Sequence, residues 1–144
     1  MTLYLDTSAV VKLYVREPGT DAVREGIARA TMVATARIAY AEAGAALAAA
    51  VRLGRLSEPG RNEAMAGLRT DWPGFTVIEI TQRVVEAAAD WASAHGLRGY
   101  DAVHLAAATE YGRRTLRPLA FCGWDARLNE AARASGLALW PGPE

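Results

Sequence analysis

The sequence predicts an α/β fold, a three-layer sandwich in which a mostly parallel central sheet is flanked by helices. Two observations lead to this prediction. Short apolar runs of strand length alternate along the chain with longer segments of helical periodicity. Gly and Pro residues separate most of these segments, and hydroxyl-bearing or acidic residues stand where helices would begin. Strands that alternate with helices in this way form parallel sheets.

The first half of the chain contains two predicted strands and four predicted helices. Residues 2–6 form a short apolar strand, and the hydroxyls of Thr7 and Ser8 can cap a helix that runs to residue 16. Glu17-Pro18-Gly19 ends that helix. The following segments are a helix, a strand and two helices, the third helix stopped by Gly54 and the fourth started by Ser57 and Pro59: residues 21–30, 32–35, 37–53 and 57–72.

The second half repeats the alternation. Pro73-Gly74 ends the fourth helix, and residues 75–80 alternate as a strand. An amphipathic helix ends at Gly96, and Gly99 separates it from the next helix. The remaining elements are predicted in order as helix, helix, strand, helix and strand: residues 81–95, 100–112, 119–122, 126–135 and 137–140. We therefore expect one domain over residues 1–144, because the length suits one sizeable core.

Composition excludes several classes of protein. The 16 basic residues balance the 16 acidic ones, so a polyanion would have to bind at a local patch. Cys122 is the only cysteine, which rules out an internal disulfide and fits a reducing compartment. Asp6 and Lys12 come too early for a secretory leader, and residues 43–51 are too short to span a bilayer, which takes roughly 20 residues. We expect a cytoplasmic protein with no membrane segment.

Four acidic residues stand where an uncompensated charge is costly: Asp6, Glu42, Asp101 and Asp125. Two of them follow predicted strands, and two lie in helices within apolar sequence. Ligands of an open α/β sheet bind beyond the carboxyl ends of the strands, so all four could converge at that edge. Clustered carboxylates supply the oxygen ligands that Mg²⁺ prefers, and such a cation can activate water and neutralise a phosphoryl oxygen. The pattern indicates metal-dependent phosphodiester hydrolysis.

Each acid also has a purely structural explanation. Asp6 and Asp125 could be N-caps of the helices that follow them, and Asp101 could interact favourably with a helix dipole. Glu42 could lie on a solvent-exposed helix face. Only the joint pattern favours a metal site over these explanations. His104 lies three residues after Asp101, but a position at the edge of the core is favoured, and we exclude it from the predicted metal ligands.

The segments around the four acids resemble PIN-domain ribonucleases, and most closely the toxins of VapBC-type toxin–antitoxin pairs. The matching segments follow one another in the family's order: Leu5-Asp6-Thr7-Ser8-Ala9, Ala41-Glu42-Ala43, Tyr100-Asp101-Ala102-Val103-His104-Leu105-Ala106-Ala107-Ala108 and Trp124-Asp125-Ala126-Arg127-Leu128. The resemblance implies a PIN-like fold and an endoribonuclease, dependent on Mg²⁺ or Mn²⁺, that inhibits translation. It also implies a homodimer and a cognate antitoxin as partner.

The same resemblance assigns roles to individual residues. Asp6, Asp101 and Asp125 would hold one or two metal ions, and Glu42 would complete the catalytic set directly, through a water or through the second metal. Ser8 would support Asp6. Many family members carry Ser or Thr two residues before the fourth acid, where this chain has Gly123. We expect the missing hydroxyl to weaken metal binding around Asp125.

Basic residues near the acids are the candidates for contacts with RNA phosphates: Lys12, Arg16, Arg37, Arg98 and Arg127. Other functions compete with a ribonuclease toxin. A PIN-like nuclease could act on other RNA, or on DNA, outside a toxin–antitoxin pair. A phosphatase with Asp6 as nucleophile is disfavoured. Such enzymes carry an Asp-x-Asp pattern after the first strand, and this chain has Ser8 in place of the second Asp. A non-catalytic binding module would bind no divalent metal.

Overall fold

The computed structural model describes residues 1–142 and arranges their strands in one sheet between two layers of helices. The strands are β1 Thr2–Leu5, β2 Met32–Ala36, β3 Thr76–Ile78, β4 Leu119–Cys122 and β5 Ala138–Trp140. The helices are α1 Thr7–Tyr14, α2 Thr20–Arg29, α3 Ala39–Arg52, α4 Glu58–Asp71, α5 Gln82–His95, α6 Gly99–Thr115 and α7 Ala126–Ala134. The predicted fold class is confirmed.

The sheet is parallel throughout and has the order β3-β2-β1-β4-β5. The chain builds outward from β1 to β3 on one side and then returns to place β4 and β5 on the other side. The strand order therefore reverses between β1 and β4, which is where open α/β sheets form their ligand crevices. Asp6 follows β1 and Asp125 lies three residues beyond β4, so both lie beside this reversal.

The central strand divides the core into two layers. Leu3, Tyr4 and Leu5 of β1 are completely buried, and their side chains alternate between the two faces of the sheet. Tyr4 belongs to the core that includes Leu105 of α6, whereas Leu3 and Leu5 pack in the core that includes Val10 of α1. Within residues 1–142, no helix combines the length and hydropathy needed to cross a membrane.

Several element ends differ from the predicted ones. α1 stops at Tyr14 because Val15 is already extended, whereas the sequence predicted a helix to residue 16. α6 continues past Gly112 to Thr115 and ends where Leu116 adopts a left-handed conformation. β3 has three residues instead of the predicted six, because its partner β2 ends at the Ala36–Ile78 pair. These differences leave the position of the four acids unchanged.

Candidate functional site

Asp6 is the first residue after β1, and its side chain is buried with 4% of its surface exposed. Its Oδ1 atom accepts hydrogen bonds from the Ser8 hydroxyl at 2.6 Å and the Ala9 amide at 2.9 Å, so Asp6 caps α1. Burial raises the pKa of Asp6 in spite of these bonds. None of the salt bridges among residues 1–142 includes Asp6, so its negative charge has no cationic partner there.

The second oxygen of Asp6 lies against Gly123, in the loop between β4 and α7. A Cβ atom at position 123 would lie 2.4 Å from Asp6 Oδ2, far inside van der Waals contact. Asn129 fixes the loop by donating to the Gly123 carbonyl at 2.9 Å, and the Trp124 amide donates to Ser8 Oγ at 3.2 Å. Glycine at position 123 therefore makes room for the Asp6 carboxylate. The Ser or Thr that many family members carry at this position would have no space unless the Asp6 side chain moved.

Asp125 and Asp101 are the more accessible acids of the set. Asp125 is exposed and caps α7, its Oδ1 atom accepting from the Leu128 amide at 2.8 Å. Asp101 lies half-buried in the first turn of α6. Burial and then the charge of Asp125 raise the pKa of Asp101, although the Arg98 charge acts in the opposite direction. Ionisation of Asp125 therefore opposes ionisation of Asp101.

Glu42 is half-buried on α3 and not on a fully solvent-exposed face. Its Oε1 atom lies 2.7 Å from the Thr7 hydroxyl, which donates to it, and 2.7 Å from Nε2 of His104. Burial opposes ionisation of Glu42, but its interaction with His104 and the hydrogen bond from Thr7 outweigh burial and lower the pKa of Glu42. His104 is buried, and its Nδ1 atom lies 2.8 Å from the Tyr4 hydroxyl.

A cavity of ≈650 Å³ opens between α5 and α6 beside the acids. Glu42 and Asp101 contribute to its wall together with Arg98 and Tyr100, and Tyr100 is 60% exposed. The rest of the wall is mainly apolar: Val85, Ala88, Ala89, Ala92 and Val103. Two predicted site residues and one predicted RNA-contact residue therefore share one accessible surface.

The other predicted RNA-contact residues lie outside this cavity and have partners of their own. Lys12 pairs with Glu17 at 2.9 Å and lies over the Trp124 ring. Ion pairs also join Arg16 to Asp21 at 2.7 Å and Arg37 to Glu79, and Arg127 donates to the Gly96 carbonyl at 3.1 Å. Among the five, only Arg98 lines the cavity with the acids.

The four acids offer only oxygen atoms as donors, and Asp6 and Asp125 follow the two strands between which the strand order reverses. Among residues 1–142, no three Asp, Glu, His or Cys side chains stand close enough to form a finished metal site. Asp6, Asp101 and Asp125 take part in none of the salt bridges described for these residues. Oxygen donors of this kind, which form no salt bridge, have the chemistry that suits a divalent cation.

Comparison with known proteins identifies the family of the chain. Residues 3–117 match the PIN domain family. The chain is 37% identical over 139 residues to Ribonuclease VapC45 of Mycobacterium tuberculosis (strain CDC 1551 / Oshkosh), and this alignment covers 96% of the chain and 94% of VapC45.

Two solved structures show the same fold. FitAcB from Neisseria gonorrhoeae is similar with a TM-score of 0.69 at 18% identity, over 96% of each chain. VapBC-5 from Mycobacterium tuberculosis, a member of the VapBC family of toxin–antitoxin systems, is similar with a TM-score of 0.60 at 17% identity, over 96% of this chain and 97% of the other. The family match and the identity to VapC45 extend over most of the sequence, and the chain therefore belongs to the PIN-domain family as a VapC-type protein.

Proposed function

We propose that this protein is a Mg²⁺- or Mn²⁺-dependent endoribonuclease, the toxin of a VapBC-type pair, which inhibits translation by hydrolysing RNA. The observation that carries the proposal is the set of four carboxylates beside the reversal of strand order, three of them without a salt-bridge partner in the described residues. Kinship to a protein named as a ribonuclease supports RNA as the substrate.

Asp6, Asp101 and Asp125 are the proposed ligands of one or two ions, and Glu42 completes the set directly or through water. Asp6 and Asp125 cap their helices through Oδ1, and the Oδ2 atom of each takes no part in the cap. We propose that these Oδ2 atoms contact the cation. A bound cation would supply Lewis acidity, which activates a water and neutralises charge on the phosphoryl oxygen. Ser8 contributes by fixing the rotamer of Asp6 through its 2.6 Å hydrogen bond.

The RNA strand is proposed to approach along the cavity that Asp101 and Arg98 line. Arg98 is exposed there and can pair with a phosphate, which shields that phosphate from the neighbouring carboxylates. Lys12, Arg16, Arg37 and Arg127 would contact phosphates further from the acids. Each of these contacts would compete with the partner that the side chain has now, so we expect Arg98 to matter most for RNA affinity.

A cognate antitoxin and a second copy of the chain are the proposed protein partners. The fold shared with VapBC-5, a toxin–antitoxin system, supports the antitoxin partner, and the resemblance to VapC toxins implies the second copy. In an RNA cleavage assay, an antitoxin encoded beside this protein should suppress activity. Cleavage that no such protein suppresses would favour a PIN-like nuclease acting outside a toxin–antitoxin pair.

Cleavage of a mixed single-stranded RNA pool tests the proposed activity. We expect Mg²⁺ or Mn²⁺ to support cleavage into 5′-phosphate and 3′-hydroxyl ends, and EDTA to abolish it. Asp6→Asn and Asp101→Asn should each reduce the rate at least about 100-fold, because each loses an ionic metal ligand worth several kcal/mol in the transition state. Asp90→Asn, on the exposed surface of α5, is the matched control and should cleave normally. Full activity of the Asp6 or Asp101 variant would refute the mechanism, and cleavage confined to DNA would refute the substrate.

Substitution of Gly123 tests whether the site needs the space that glycine leaves. Gly123→Ser should displace the Asp6 carboxylate and weaken Mn²⁺ binding by about 10-fold or more, as measured by calorimetry. Gly74→Ser is the control, because a Cβ atom there meets nothing within 4 Å. Tighter binding by the Gly123→Ser protein would instead support a ligand-assisting hydroxyl at this position.

The stability of the metal-free protein tests the cost of burying Asp6. The pKa of Asp6 is higher in the native state than in the unfolded state. At pH values between these two pKa values the native state binds more protons, so the stability of the protein falls as the pH rises through this range. Asp6→Asn keeps the acceptor for Ser8 and Ala9 but removes the charge. At neutral pH in EDTA this variant should have a higher Tm than the wild type, and Mn²⁺ should raise the Tm of the wild type more. A lower Tm in EDTA would show that the charge stabilises the fold.

A further inference from the structure

A chain of hydrogen bonds runs from the buried central strand to the half-buried Glu42. Tyr4 of β1 lies beneath α6, and its hydroxyl is 2.8 Å from His104 Nδ1. The opposite ring nitrogen of His104 is 2.7 Å from Glu42 Oε1 and 3.0 Å from the Thr7 hydroxyl oxygen. Tyr4 and His104 are both almost completely inaccessible to solvent. These four residues connect four elements, β1, α1, α3 and α6, through polar atoms alone.

Only one assignment of donors and acceptors gives every polar group in this series of hydrogen bonds a partner. A Glu42 carboxylate only accepts, so the hydrogen between it and His104 must be on Nε2. Among the described residues the Tyr4 hydroxyl has no hydrogen-bond partner other than His104 Nδ1, so its O–H must donate to that nitrogen. A second hydrogen on Nδ1 would leave the buried Tyr4 hydroxyl proton without an acceptor, which costs free energy.

We propose that His104, oriented by Tyr4, is a positioning residue that holds Glu42 by its Oε1 atom and reserves Oε2 for the metal or a water bound to it. Thr7 donates to the same Oε1 atom at 2.7 Å, so two donors from different elements converge on one oxygen. Glutamate has three rotatable bonds, and these contacts restrict them before any cation arrives. The consequence for catalysis rests on the proposed function, whereas the hydrogen-bond chain does not.

Two amide substitutions separate positioning from packing. The amide of Gln at position 104 reaches the place of Nε2 and can still donate to Glu42, whereas the shorter Asn reaches only the place of Nδ1. We expect His104→Asn to weaken Mn²⁺ binding by about 10- to 100-fold in electron paramagnetic resonance titrations. His104→Gln should bind Mn²⁺ with nearly the wild-type affinity. The affinity of Tyr4→Phe should lie between those of His104→Gln and His104→Asn.

The same variants should differ in turnover and not in RNA binding. At saturating Mn²⁺, His104→Asn should lower kcat and leave KM for RNA near the wild-type value, because His104 acts through Glu42. Melting temperatures check that each variant folds. His95→Gln is the matched control, since His95 is the other histidine of the sequence and lies at the end of α5. The proposal would be overturned if His104→Gln and His104→Asn lost Mn²⁺ affinity and kcat equally, or if neither variant lost any.

The tautomer of His104 supplies a readout that needs neither metal nor RNA. Nitrogen-15 spectra of the metal-free protein should show a protonated Nε2 and an unprotonated Nδ1 for this ring, and the His95→Gln spectrum assigns the signals. A proton on Nδ1 instead would overturn the proposed chain, even if the variants lose activity. A wild-type protein that binds no Mn²⁺ but shows the expected tautomer would refute the proposed function and leave the hydrogen-bond chain standing.

Discussion

The carboxylate of Asp6 lies at the buried end of the central strand, and the rest of the candidate site is arranged around it. β1 is paired on both sides and covered on both faces, so the residue that follows it begins inside the protein. Ser8 and Ala9 hold one oxygen of Asp6, and Gly123 leaves room for the other. A charge placed there costs stability unless a partner offsets it, and the described salt bridges provide none.

Helix capping and metal binding are compatible roles for the same acid. Asp6 and Asp125 both cap helices, and each does so with a single oxygen. The cap fixes the rotamer of the carboxylate and leaves its second oxygen available, which is the kind of preorganisation that a binding site needs. Asp101 lies in the first turn of α6, where the helix dipole favours a negative charge. Helix capping and the helix dipole therefore describe how the proposed ligands are held in place.

Local patterns predicted most of the fold and the positions of the acids, because strands, helices and caps leave signals within a few residues. The pattern at Asp6 and Asp125 could be recognised in this way, since each acid stands between an apolar run and a helix. The contacts around Glu42 could not be predicted. His104 lies 62 positions from Glu42 and 100 from Tyr4, and no spacing rule connects them. The role of Gly123 was also hidden, because the clash that glycine avoids depends on how β1 and β4 end together. The one hint in the sequence was a histidine, His104, within the alanine-rich segment that forms α6, where the structure buries it.

The proposed mechanism requires a cation bound among Asp6, Asp101 and Asp125. Anomalous diffraction from crystals soaked in Mn²⁺ locates such an ion without reference to activity. We expect a peak beside the Oδ2 atom of Asp6 that is shared with at least one of the other two acids. A peak confined to surface carboxylates remote from Asp6, or none at saturating Mn²⁺, would contradict the mechanism.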